Sequence, residues 1–122
     1  MTSRHLVHPE LHDLLDSWPP LELTDDSLLL IREEGRLELI RTAPVDPPFP
    51  DVEVTEHFID GPAGASALRV LLIRPLSAPV GAPGLFWVHG GGYVMGSADQ
   101  DSLQVQRLVS AVGCVAAVVD YR

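Results

Sequence analysis

The residues best suited to chemistry are Val88-His89-Gly90-Gly91-Gly92-Tyr93-Val94-Met95-Gly96-Ser97. Three successive glycines remove every Cβ, so the backbone can adopt positive φ and turn several N–H groups toward one point. Such a loop is a donor site for negative charge. It serves either a phosphate that is already anionic or an oxyanion that appears only during acyl transfer. Spacing separates the two. A dinucleotide fingerprint G-x-G-x-x-G takes Gly90 and Gly92, but its third position falls on Met95 and the glycine comes one residue late, at Gly96. Asp120 stands where a ribose-binding acid is expected, which keeps that reading open. A P-loop fits Gly91 and Gly96 and then fails, because Ser97 occupies the lysine position. His-Gly-Gly-Gly after a strand is instead the pattern of an oxyanion loop in ester hydrolysis. A tight turn without chemistry is the bland reading, yet one glycine suffices for a turn.

The remaining reactive side chains narrow the choice. All eight basic residues are arginine, so no lysine is available for a Schiff base, a phosphate contact or a general base. His5, His8 and His12, with Glu10 and Asp13, could place two imidazoles one helical turn apart as a metal pair would be, but a solvated amino terminus is the simpler expectation. His57 lies among polar alternates and reads as surface. Cys114, within an apolar run, reads as core and cannot form an internal disulfide. A net charge of −9 disfavours nucleic acid and anionic lipid as partners and favours a neutral or cationic ligand. No basic start with an apolar stretch and no run approaching a membrane span is visible, so the expected location is cytoplasmic.

Elements must position the loop. The 122 residues, 46% apolar and 20% charged, suit one folded domain. Residues 9–17 read as a short helix, with Pro9 early and Leu11, Leu14 and Leu15 at helical spacing, ended by Trp18-Pro19-Pro20. A second helix is predicted over 26–41, where Leu28, Leu29, Ile31, Leu37 and Ile40 form an apolar face and Gly35 threatens continuity. Four prolines within 43–50 make an extended linker. Strands follow at 52–59, with Val52, Val54 and Phe58 on one face, and at 67–74, joined by a turn-rich stretch that suggests an antiparallel hairpin. Residues 85–88 are apolar throughout, as is the strand 114–120 up to its closing Asp120, and the helix predicted between them over 101–112 stops at Gly113. This is a βαβ unit in an α/β fold.

His89-Gly90-Gly91-Gly92-Tyr93 through Gly96-Ser97, the helix after it and the ending Val119-Asp120-Tyr121-Arg122 resemble the hormone-sensitive-lipase group of α/β-hydrolases. Residues 9–21 are similar to the cap helices of the same group. The resemblance implies a serine carboxylesterase acting on small neutral esters, with no metal or organic cofactor. It implies that backbone N–H groups of Gly91 and Gly92 form the oxyanion hole and that Gly90 shapes the turn. His89 would be structural rather than the catalytic base, and Tyr93 would lie close to the acyl pocket. On this basis residues 1–45 are cap helices and linker, and residues 46–122 are the first part of a hydrolase core.

One departure qualifies that picture. The nucleophile elbow Gly-x-Ser-x-Gly is missing, since Gly64-Ala65-Ser66 runs into Ala67-Leu68 and Gly96-Ser97 lacks the flanks. Nucleophile, acid and base are expected beyond Arg122, and the 122 residues alone are expected to be inactive. The competing reading is a non-catalytic module that associates through residues 114–120 as an unpaired sheet edge. Charge divides the chain as well: residues 1–60 hold 14 acids and four arginines, whereas residues 61–122 hold three acids and four arginines.

Overall fold

The computed structural model describes residues 3–17, 22–42, 48–61 and 64–121. Near the amino terminus, 3₁₀ turns at Ser3–Leu6 and Pro9–Leu11 run into helix α1 (His12–Ser17). Leu11 and Leu14 stay half-exposed there. Helix α2 (Asp25–Thr42) passes through Gly35 without a break. Its start is reciprocally capped: the Ser27 N–H donates to Thr24 Oγ1 (3.1 Å) and the Thr24 N–H donates to Ser27 Oγ (2.8 Å). The expected apolar face of α2 is only partly realised, with Leu28 and Ile31 half-buried and Leu29 and Leu37 exposed. The end of the first helix at 18–20 and most of the proline linker (43–47) lie outside the described residues.

Four strands, β1 (Val52–Ile59), β2 (Leu68–Pro75), β3 (Gly84–Val88) and β4 (Val115–Asp120), form one sheet in the order β1-β2-β4-β3. The hairpin is antiparallel, pairing Val52 with Pro75 and Ile59 with Leu68. β3 and β4 are parallel, joined by helix α3 (Ala98–Val112), as a βαβ unit requires. Helix α3 starts three residues before its expected position because Ser97 caps it, its Oγ accepting from the Gln100 N–H (3.3 Å). It ends at Gly113 in the left-handed region (φ 73°), as the sequence predicts.

The placement of β4 corrects one expectation. Residues 114–120 are no free edge, because β4 pairs antiparallel with β2 and parallel with β3. A strand built from Val115, Ala116, Ala117, Val118 and Val119 is apolar on both faces and belongs in the interior of a sheet. The open edge beside it is β3, where Phe86 and Val88 are 67% and 56% exposed. The core lies on the α3 face. Val105 and Val109 of α3 pack there with Ile73, Ala116, Val118 and Cys114, all buried, and Trp87 lies against them. Of β1 only Val52 joins the buried core among the described residues, and Val54 and Phe58 are exposed where the alternation predicts burial. Among the described residues no helix is long and apolar enough to cross a membrane.

Candidate functional site

The glycine loop begins where β3 ends and closes on the first turn of α3, at the carboxyl end of the parallel strand pair. Its path uses the left-handed region repeatedly, with φ of 129° at Gly91, 62° at Gly92, 65° at Tyr93 and 97° at Gly96. At Gly91 a Cβ would run into the Met95 carbonyl, and at Gly96 into the Gly90 carbonyl and the His89 ring. Gly90 meets no such obstruction, so side-chain absence is demanded at 91 and 96. Gly90 contributes to the loop through its carbonyl. Tyr93 is the one non-glycine residue with positive φ among the described residues, a conformation costing roughly 1–2 kcal/mol.

Two peptide planes in this loop are fixed by their carbonyls. His89 Nδ1 donates to the Gly90 carbonyl (2.8 Å), and the N–H groups of Val94 and Met95 both donate to the Gly91 carbonyl (3.1 Å each). A trans peptide points its N–H opposite its C=O. Holding the carbonyls of residues 90 and 91 inward therefore turns the N–H groups of Gly91 and Gly92 away from those bonds. Neither amide donates a hydrogen bond among the described residues. Residues 88–93 and Tyr121 line a shallow open cleft of about 270 Å³, which contains no carboxylate. Two adjacent free donors without a compensating acid can bind a carbonyl oxygen or an anion.

His89 is 4% exposed. Tyr121 stacks on its ring (centroids 4.2 Å apart, planes 12° apart) and donates its hydroxyl hydrogen to the His89 carbonyl (2.8 Å). The edge of Tyr93 meets Tyr121 at 6.0 Å, with Tyr93 itself 84% exposed at the cleft. Asp120 secures the other end of the loop: its Oδ1 accepts the Ala98 N–H (3.1 Å) and its Oδ2 accepts from Arg69 (3.1 Å). His89 Nε2, buried and without a hydrogen-bond partner among the described residues, lies 3.8 Å from Asp120 Oδ1. Both Asp120 oxygens are thus engaged inside the fold. Arg69 also binds Glu56 and, in a bidentate pair, Asp99 (2.6 and 2.9 Å). Hydrogen bonding to Arg69 holds the Asp99 carboxyl below the usual carboxylate range.

The structure brings together His89, Gly90, Gly91, Gly92 and Tyr93 as the sequence groups them, and adds Tyr121, Asp120, Gly96 and Arg32. The last donates from Nε to the Val94 carbonyl (2.6 Å) across 62 positions of sequence. A contact of that range leaves no spacing signal, whereas the Asp120-Tyr121 pair at a strand end offered a recognisable one. His12 is bound through Nδ1 to Arg4 (2.9 Å) and through Nε2 to the Val7 carbonyl (3.1 Å). His57 is exposed beside Thr55 (3.0 Å), as expected of a surface residue.

An antiparallel hairpin leading into βαβ, with a glycine loop at the carboxyl end of the parallel pair, is the arrangement found in the first part of an α/β-hydrolase fold. Comparison agrees. The profile of a family described as alpha/beta hydrolase fold matches residues 85–122. Esterase LipI of Mycobacterium tuberculosis (strain ATCC 25618 / H37Rv) is 29% identical over 116 residues, covering 95% of this chain and 35% of LipI. Gut esterase 1 of Caenorhabditis elegans is 38% identical over 61 residues, 49% of this chain and 11% of its own. Among solved structures, bacterial heroin esterase superposes with a TM-score of 0.71 at 25% identity, covering 99% of this chain and 37% of that one. Esterase LipW of Mycobacterium marinum gives 0.71 at 27% identity, covering 98% and 37%. Over nearly its whole length the chain is similar to the first part of esterases of the α/β-hydrolase fold. It spans about a third of the length of LipI.

Proposed function

We propose that this chain supplies the oxyanion hole of a serine carboxylesterase, with the N–H groups of Gly91 and Gly92 as donors to the developing oxyanion of a small neutral ester. The observation that carries the reading is the pair of inward-held carbonyls at Gly90 and Gly91, which leaves the two adjacent amides free. Preorganised donors of this kind stabilise the transition state more than the ground state. His89 acts by holding the Gly90 carbonyl, and exposed Tyr93 borders the acyl side of the cleft. Residues 1–45 form the cap and residues 46–122 the first part of the core. Nucleophile, acid and base come from outside these 122 residues, consistent with a sequence that has no Gly-x-Ser-x-Gly.

The test joins the chain to a family member's catalytic portion. Gly91→Val should lower kcat on the order of 10²–10³-fold with a smaller change in KM. An unchanged kcat overturns the oxyanion assignment. The 122 residues alone should give no serine-inhibitor-sensitive turnover of a short-chain chromogenic ester. A second reading, association by strand addition, draws on the open β3 edge with its exposed Phe86.

A further inference from the structure

The loop's donor geometry connects to an arginine on the cap side of the molecule. Arg32 of α2 donates from Nε to the Val94 carbonyl (2.6 Å). The N–H of that same peptide unit belongs to Met95 and donates to the Gly91 carbonyl (3.1 Å). The N–H of the next unit belongs to Gly92 and is free. Each peptide is trans and planar, so every link passes the donor direction onward. The sequence of atoms is guanidinium N–H, carbonyl of 94, amide of 95, carbonyl of 91, amide of 92.

Charge gives this chain of dipoles a sense. Arg36 and Arg41 on the same helix are neutralised by Glu33 and Glu38, whereas Arg32 has no carboxylate partner among the described residues. A guanidinium stays cationic and pulls electron density toward itself through hydrogen-bonded amides. We propose that Arg32 is a positioning residue that orients and polarises the Gly92 N–H through the peptide units 94–95 and 91–92, coupling the cap helix to the oxyanion donor. The proposal rests on the oxyanion reading for its catalytic meaning, but its test is made on the chain itself.

Arg32→Gln keeps a donor nitrogen at the position of Nε and removes the charge, and Arg32→Met removes both. Amide resonances and hydrogen exchange of the 122-residue chain report the outcome. Arg32→Met should raise Met95 amide exchange about ten- to a hundred-fold and move the Gly92 amide proton to lower frequency. Arg32→Gln should retain Met95 protection within about threefold yet still move the Gly92 proton. Arg36→Met, which breaks only a surface ion pair, should leave both amides in place. An unmoved Gly92 resonance in Arg32→Gln overturns the relay, and that variant is read even if Arg32→Met fails to fold. Equal changes in Arg36→Met overturn it too. The oxyanion assignment is judged separately by kcat in Gly91→Val, so failure of one is distinguishable from failure of the other.

Discussion

At the scale of single residues, the glycines of the loop are not equivalent. Gly91 and Gly96 combine positive φ with a close backbone approach, whereas Gly92 has the φ without the obstruction and Gly90 has neither. Gly96→Ala should therefore destabilise the chain by more than the roughly 1–2 kcal/mol of a left-handed alanine, because its Cβ enters the space of the Gly90 carbonyl and the His89 ring. Urea unfolding checks this, with Gly90→Ala, expected near neutral, as the control. Local pattern singled out His89 through Gly92 because a run of glycines after a histidine has few other uses. It put Gly96 aside as a fingerprint glycine out of register. What makes Gly96 necessary is contact with Gly90, and a contact across a loop is absent from linear spacing.

Among elements, the first turn of α3 is where helix, sheet and loop are fastened. Ser97 caps it, Asp120 of β4 takes the Ala98 N–H, and Arg69 of β2 binds Asp99. The Asp99 carboxyl titrates below the usual range in the folded chain because of Arg69. Its contribution is therefore complete above the unfolded value near 4 and is lost as pH falls through the lower native value. Asp99→Asn should flatten the acid limb of stability against pH below about 4 while changing its slope little near neutrality. Chemical unfolding at a series of pH values measures both. Strand and helix bounds were largely legible, since Gly113 stops α3 and uninterrupted apolar runs mark β3 and β4. The earlier start of α3 was hidden because Asp99, Gln100 and Asp101 are polar and show no apolar period.

For the whole molecule, strand order decides which surface is left open. With β4 enclosed, the sheet edges among the described residues are β1 and β3; β1 carries Glu53 and Glu56, whereas Phe86 and Val88 of β3 have no charged neighbour within the strand. Such an edge pairs with other chains. The isolated 122-residue chain should show concentration-dependent light scattering that Phe86→Lys reduces, and equal scattering from both would argue against β3 as the contact. The sequence by itself determined the α/β class, the hairpin, the βαβ unit and the place of the glycine loop, because alternation, apolar runs and glycine clusters are local physical requirements. Only the tertiary structure decided that β4 lies inside the sheet, that Asp120 holds the start of α3, and that Arg32 reaches Val94. Those outcomes depend on which distant segments share hydrogen bonds and exclude water together, and composition and spacing along a chain do not encode them locally.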